Sequence, residues 1–160
     1  MVFNYVIKWE AMFLGSYTYS VDVKGRISIP AKYKKCLNEE ANETFIMTRG
    51  TVQCIDLYPH DYWLKVIKPR IDQLDDFDEE ESAFKRLLLE LADDYTLDQQ
   101  SRLLVPKNLL EFAGIEKDVF VLGQNNKIEL WNPKIYDAHK NEISKPFAEL
   151  AKQVMRPRPK

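Results

Sequence analysis

The sequence predicts a β-rich α+β fold, with two ββαββ units related by an internal pseudo-twofold and closed into one small barrel. Three observations carry this. Residues 22–30 read DVKGRISIP and residues 98–106 read DQQSRLLVP, an offset of 76 that keeps Asp, Arg and Pro identical and the apolar positions matched. Further along, FIMT (45–48) recurs as VFVL (119–122), IDLY (55–58) as IELW (128–131), and Pro59 with Tyr62 as Pro133 with Tyr136, at offsets of 73 or 74 that put small indels in turns. Finally, a unit of about 45 residues cannot bury a core alone, whereas two interleaved units can close a barrel without free edges.

In chain order, Phe13 to Val21 alternates as a strand with Phe13, Tyr17, Tyr19 and Val21 on one face. Val23-Lys24-Gly25 is a turn, with Gly25 supplying the permissive backbone. Ile27 and Ile29 continue as a short strand, and Pro30 opens a helix over AKYKKCLNEE (31–40), where its missing N–H costs nothing. Glu43 to Arg49 and Cys54 to Tyr58 form a hairpin around Gly50-Thr51-Val52. Asp61 to Ile67 reads as helix interrupted at Pro69. Residues 72–81 hold seven acids and no base, and Ser82 to Ala92 is a second helix with Phe84, Leu87, Leu88 and Leu91 on one face. In the second unit Leu103 to Val105 is the strand, Pro106 opens the helix KNLLEFA, and Gly114 caps it. Val119 to Gly123 and Lys127 to Trp131 flank the turn Gln124-Asn125-Asn126. A last helix follows Pro133 to about Met155, and the tail RPRPK is expected to be disordered. The chain thus divides into a first unit (16–62), a helical spacer (63–91), a second unit (92–135) and a C-terminal helix with its tail (136–160).

Composition excludes several classes. At 160 residues, 45% apolar and 30% charged, the chain is neither disordered nor fibrous. Its 5 glycines are too scattered for a dinucleotide fingerprint or a P-loop. His60 and His139 stand 79 residues apart, and Cys36 and Cys54 make neither a disulfide scaffold nor a zinc site, so no metal, cofactor or small-molecule substrate is expected. The longest apolar runs are four or five residues, far short of a membrane span of about 20. No secretory signal is recognisable, and the cytoplasm is the expected compartment. Residues 1–11 lie outside the matched units; a second start stands at Met12, and these residues are expected to add nothing to the barrel.

The segments DVKGRISIPAKYK and RLLVPKNLLEFAGIEKDVFVLGQNNKIELWNP resemble the MraZ family of bacterial transcription regulators, built from two SpoVT–AbrB-type repeats. The resemblance runs from about Met12 beyond Trp131, and A-G-I-x-K-D-V followed by V-L-G-Q-x-N-K-x-E-L-W is its most specific block. It implies a swapped-hairpin, double-ψ-like barrel. It also implies ring-like homo-oligomers, nucleoid association, and control of the operon for division and cell-wall synthesis through double-stranded DNA. The DNA-binding residues it implies are Asp22, Lys24, Gly25 and Arg26 in the first motif and Asp98, Gln100 and Arg102 in the second. One departure stands in the second motif, where Ser101 replaces the usual Gly; Lys24 of the first motif is also matched by Gln100, and together these predict a stiffer turn that holds DNA less strongly.

The residues argue for this independently. Arg presents five donors in a rigid fork that fits guanine O6 and N7 or a phosphate. The Asp four residues earlier cannot attract DNA, so its role is to accept turn N–H bonds or to hold the Arg. An Asp and an Arg at this spacing ordinarily make a surface salt bridge; repetition before matched prolines points further. Lys24, Arg26, Lys32, Lys34 and Lys35 stand against Asp22 alone, a local charge of +4 in a chain of net charge −2. Asp56 and Glu129, at matched strand positions, are read as symmetric structural acids rather than a catalytic pair, and the chain is not expected to be an enzyme. His60 and His139 are read as surface residues, Cys36 and Cys54 as small core residues, Tyr58 and Trp131 as core anchors. The runner-up function is a protein-partner module of antitoxin-like type, marked by an exposed amphipathic tail.

Overall fold

Tyr17 and Tyr19 alternate with small hydroxyl residues to form β1 (Ser16–Ser20) in the computed structural model, which describes residues 12–159. A tight turn leads to β2 (Arg26–Ser28), and Pro30 sits at the N-cap of α1 (Ala31–Lys35). The hairpin β3 (Thr44–Arg49) and β4 (Ile55–Pro59) follows as expected. The second unit repeats the plan with β5 (Asp93–Thr96), β6 (Arg102–Leu104), α5 (Lys107–Ala113), β7 (Asp118–Gln124) and β8 (Lys127–Trp131). Gly114 ends α5 in the left-handed conformation (φ 67°), as predicted.

The strands interleave. One antiparallel sheet runs β1-β7-β8-β4-β3-β5, and β2 pairs β6 as a separate ribbon. Both orders read the same when the two units are exchanged. The first strand of each unit therefore pairs with the hairpin of the other. Ile27 faces Leu103 at the centre of the ribbon, and Asp56 faces Glu129 at the centre of the β4–β8 ladder. These two pairs mark the pseudo-twofold axis. Around it Phe13, Phe45, Met47, Leu57, Leu109, Val121 and Leu130 are fully buried.

The large antiparallel sheet with flanking helices makes the fold α+β, and no closed barrel is found among the described residues. β1 and β5 end the sheet as edges. Asp22 N–H reaches the Arg26 carbonyl at 3.0 Å, but β2 and β6 are three residues long and ladder only with each other. Interleaving is achieved; closure by hydrogen bonding is not.

Four elements differ from expectation. The helix over 31–40 stops at Lys35, and the chain turns through Glu39–Ala41 to Asn42 and Glu43, both with positive φ. Asparagine tolerates that left-handed backbone, and Asn38 spends its amide on Asp61 at 2.9 Å. Pro69 does not interrupt its helix: α2 (His60–Tyr62) runs through a π-helical turn (Trp63–Ile67) into α3 (Lys68–Asp72). The widened turn makes room for the proline ring and absorbs its missing N–H. α4 (Glu79–Leu89) starts three residues before Ser82, because Asp78 caps it by accepting the Glu81 N–H at 2.9 Å and three glutamates favour the first turn. The last helix splits at Pro146 into α6 (Pro133–Asn141) and α7 (Phe147–Val154). Residues 156–159 carry neither helix nor strand, and the expectations for residues 1–11 and 160 fall outside the described residues. No helix among the described residues is long and apolar enough to cross a membrane.

Candidate nucleic-acid interface

The two Asp-to-Arg turns are built alike, bond for bond. In the first, Gly25 N–H donates to the Asp22 carbonyl at 3.0 Å, and Asp22 Oδ1 accepts the backbone N–H of Lys24 and of Arg26, each at 2.9 Å. Arg26 Nε then donates to Asp22 Oδ2 at 2.7 Å. In the second, Ser101 N–H reaches the Asp98 carbonyl at 3.0 Å, Oδ1 accepts from Gln100 and Arg102 at 2.8 and 2.9 Å, and Arg102 Nε donates to Oδ2 at 3.0 Å. Each carboxylate thus ties the turn and aims the guanidinium.

Each turn is also anchored to the opposite unit. The Gly25 carbonyl accepts from Val105 N–H, and the Ser101 carbonyl from Ile29 N–H, both at 2.9 Å. The β2–β6 ribbon therefore sets the turns side by side. Arg102 Nη1 comes within 3.7 Å of Asp22 Oδ2, so one carboxylate serves both arginines. The Asp22 carboxyl is held below the usual range, first by the Arg26 backbone N–H. Burial pushes Asp98 up, but the N–H groups of Arg102 and Gln100 outweigh it and the net direction is down.

The arginines do not stand free in solvent. Their side chains are 28% and 25% exposed, laid along their aspartates with Nε engaged. At the first turn's tip the exposed residues are Lys24 and Val23, the latter missed by sequence reasoning although a valine at a turn tip has nothing to cover it. Of the α1 cations, Lys32 and Lys35 are exposed, while Lys34 pairs with Glu43 at 3.4 Å. Tyr33 points inward, its hydroxyl donating to the Leu14 and Gly15 carbonyls at 2.9 and 2.7 Å.

Ser101 does not distort its turn. It adopts φ 59°, near the 85° of Gly25. A β-carbon in that region costs roughly 1–2 kcal/mol. A β-carbon added at Gly25 would also lie 3.1 Å from the Val105 carbonyl oxygen. Gly25→Ala is expected to destabilise by about 1–2 kcal/mol, and Ser101→Gly to shift stability upward by less than about 1 kcal/mol, since glycine also loosens the unfolded chain. Denaturant midpoints of the two variants check both signs.

A second polar cluster lies on the pseudo-twofold axis. Asp56 and Glu129, 3% and 9% exposed, face each other across β4 and β8. Lys127 Nζ stands 3.0 Å from Asp56 Oδ1 and 3.3 Å from Glu129 Oε2. Trp131 Nε1 donates to Glu129 at 3.0 Å, and the Tyr58 hydroxyl to Asp56 at 3.4 Å. Burial pushes the Cys54 thiol up, so it stays protonated, and Tyr58 is pushed up to about 12. Ligand atoms of Cys54, Asp56 and Glu129 lie within 4.8 Å of one another, but the Lys127 ammonium already supplies the cation they need. The cluster is a buried network in which one ammonium, an indole N–H and a phenol hydroxyl meet the two acids. Trp131 is a buried anchor and Tyr58 is half-buried. Cys54 is core while Cys36 is half-exposed, and His139 is half-buried against Trp131, their ring centroids 5.2 Å apart.

Comparison with known proteins adds an independent line. The family model described as "MraZ protein, putative antitoxin-like" matches residues 12–87 and again 88–156. A protein named transcriptional regulator MraZ from Natranaerobius thermophilus is 35% identical over 144 residues, covering 90% of this chain and 97% of the relative. Proteins of the same name from Thermoanaerobacter sp. and Syntrophomonas wolfei are 34% and 35% identical, over 89% and 90% of this chain and 96% and 97% of their own lengths.

Proposed function

The chain belongs to the MraZ family, and from that premise we propose that it is a transcriptional regulator that reads double-stranded DNA through its paired turns. The observation that carries the reading is the pair of turns with identical internal bonding, set side by side by β2 and β6 and each presenting an Asp-oriented arginine. With Nε held by carboxylate, the Arg26 Nη groups and Arg102 Nη2 are left for guanine O6 and N7 or for phosphate, while Arg102 Nη1 faces Asp22 Oδ2 at 3.7 Å. Lys24, exposed beside the first arginine, supplies a phosphate contact, and Gly25 and Gln100 complete the two turns. The segments 16–62 and 92–135 act as the two DNA-facing units.

The regulator acts as a repressor of the division and cell-wall operon, bound to repeated operator sites as a ring-like homo-oligomer on the nucleoid. One chain offers two reading turns, and linking copies raises affinity on repeated sites by about 10²–10⁴-fold. No catalytic residue, cofactor or metal is assigned. The test is fluorescence anisotropy on DNA from upstream of the protein's own operon and on a scrambled duplex, across a salt series. Lys24→Ala is expected to weaken binding to both duplexes alike and to flatten the salt slope by about one unit per protomer, as loss of one phosphate contact does. The second reading, an antitoxin-like protein-partner module, is favoured by the amphipathic α7, of which no residue is buried. It would replace the first if operator and scrambled DNA bind equally weakly at low salt.

A further inference from the structure

We propose that the two turns read different base steps. The first takes a guanine beside a thymine, whose C5 methyl meets Val23 and Leu104. The second takes a guanine beside an adenine, whose N6 and N7 meet the Gln99 amide. The proposal rests on the DNA reading above and names the residues that set its base preference.

The backbone of the two turns is bonded alike, so what distinguishes them is their side chains. At the turn tips Val23 matches Gln99; Val23 is wholly exposed and Gln99 is exposed. The ribbon adds a second asymmetry. Ile27 and Leu103 are buried on its inner face, so Arg26, Ser28, Arg102 and Leu104 lie on its outer face. Leu104 stands directly opposite Arg26, and Ser28 directly opposite Arg102. The pseudo-twofold that exchanges the two arginines therefore exchanges leucine for serine. Leu104 is 52% exposed, and its Cδ1 lies 3.9 Å from where a β-carbon on Gly25 would sit, so it backs the first turn.

One exposed apolar side chain is ordinary on a protein surface. Here two flank the same guanidinium, and both matched positions beside the other guanidinium are polar. In the major groove thymine alone presents a methyl group, which valine and leucine can cover. Adenine presents the N7 acceptor and the N6 donor, which a glutamine amide meets with its N–H and its carbonyl oxygen. Asp98 binds the N–H groups of Gln100 and Arg102, and among the described residues the Gln99 amide has no partner. The preferences also exclude each other. An amide pressed on a methyl loses water without gaining a bond, and an apolar side chain leaves the adenine edge unpaired.

The test is competition anisotropy with the full chain on three versions of the DNA from upstream of the protein's own operon. One is natural, one carries uracil for thymine, and one carries 7-deazaadenine for adenine. Uracil removes only the C5 methyl, and 7-deazaadenine only the N7 acceptor. The wild type is expected to bind the uracil DNA about fourfold more weakly, as loss of one buried methyl gives, and the 7-deazaadenine DNA about tenfold more weakly. Val23→Gln is expected to bring the uracil ratio below about twofold and to raise the 7-deazaadenine ratio. Gln99→Val is expected to abolish the 7-deazaadenine loss and to raise the uracil ratio. Both positions are exposed, so folding survives, with circular dichroism as the control. A folded variant that keeps the wild-type ratios overturns the reading assigned to its turn. A wild type that is indifferent to both base changes, yet still prefers the natural DNA to a scrambled duplex, overturns this proposal and leaves the DNA reading in place. A wild type that binds natural and scrambled DNA alike overturns both.

Discussion

The double variant Arg26→Ala, Arg102→Ala is expected to lose operator discrimination while keeping its fold. Each guanidinium that reads a base edge contributes roughly 1–3 kcal/mol of discrimination, so the pair is worth on the order of 30-fold to more than 10⁴-fold in specific affinity if the two are independent. The single changes are not expected to add, because Asp22 holds both arginines at 2.7 and 3.7 Å. Arg26→Ala is expected to cost more than Arg102→Ala, since Lys24 stands beside the first and Gln100 beside the second. Lysine is not a substitute: it cannot give Nε to the aspartate and a second donor to a base. Folding survives because each aspartate still accepts two backbone N–H groups, and melting is expected to move by no more than about 5 °C. Anisotropy on operator and scrambled DNA, with circular dichroism, reads both halves of the expectation. Unchanged operator affinity in the folded double variant removes DNA reading from these turns and favours the protein-partner reading.

Lys127→Ala should have the largest effect on stability. It removes the one cation that, among the described residues, stands between two carboxylates that are almost wholly buried and face each other across a ladder. Breaking a buried charge pair in this way costs about 3–5 kcal/mol, equivalent to about 6–20 °C in melting temperature for a chain of this size. The pH dependence has a definite sign. Burial raises the Asp56 carboxyl above 3.8 in the folded state, and Lys127 opposes that rise. An acid whose folded pKa is raised binds protons more readily when folded. Its penalty is therefore absent below the unfolded value, near 3.8, and grows as pH climbs through the folded value. Without Lys127 the rise is larger, so the melting difference from wild type is expected to be wide at pH 7 and to narrow toward pH 4. Lys127→Ala with Asp56→Asn is expected to recover part of the loss at pH 7. A difference that stays constant with pH would mean that packing, and not the uncompensated acids, carries the cost.

Much of the local structure was legible because its signals are local. Turn residues, strand alternation and the prolines before α1 and α5 each act within a few residues of themselves. The 76-residue offset between Asp22 and Asp98 therefore marked both turns and both aspartate roles before any contact was known. Misreadings arose where a local rule had a competitor. Pro69 ordinarily stops a helix, yet a π-helical turn absorbed it. The run after Tyr33 reads as helix, but Asn38 and Asn42 favour a turn held by Asp61.

The sequence by itself determined the repeat, the two Asp-to-Arg turns, the hairpins and the placement of Asp56 and Glu129 at equivalent positions. Only the tertiary structure decided that β1 pairs with β7 and β5 with β3, and that the ladders leave open edges. It also decided that Arg102 reaches Asp22, that Lys127 lies between the two acids, and that Phe84 and Leu87 remain half exposed. The reason is physical. Periodicity specifies which side of an element is apolar or charged. What that side meets depends on contacts between residues tens of positions apart, and those are set when the two units pack across their shared axis.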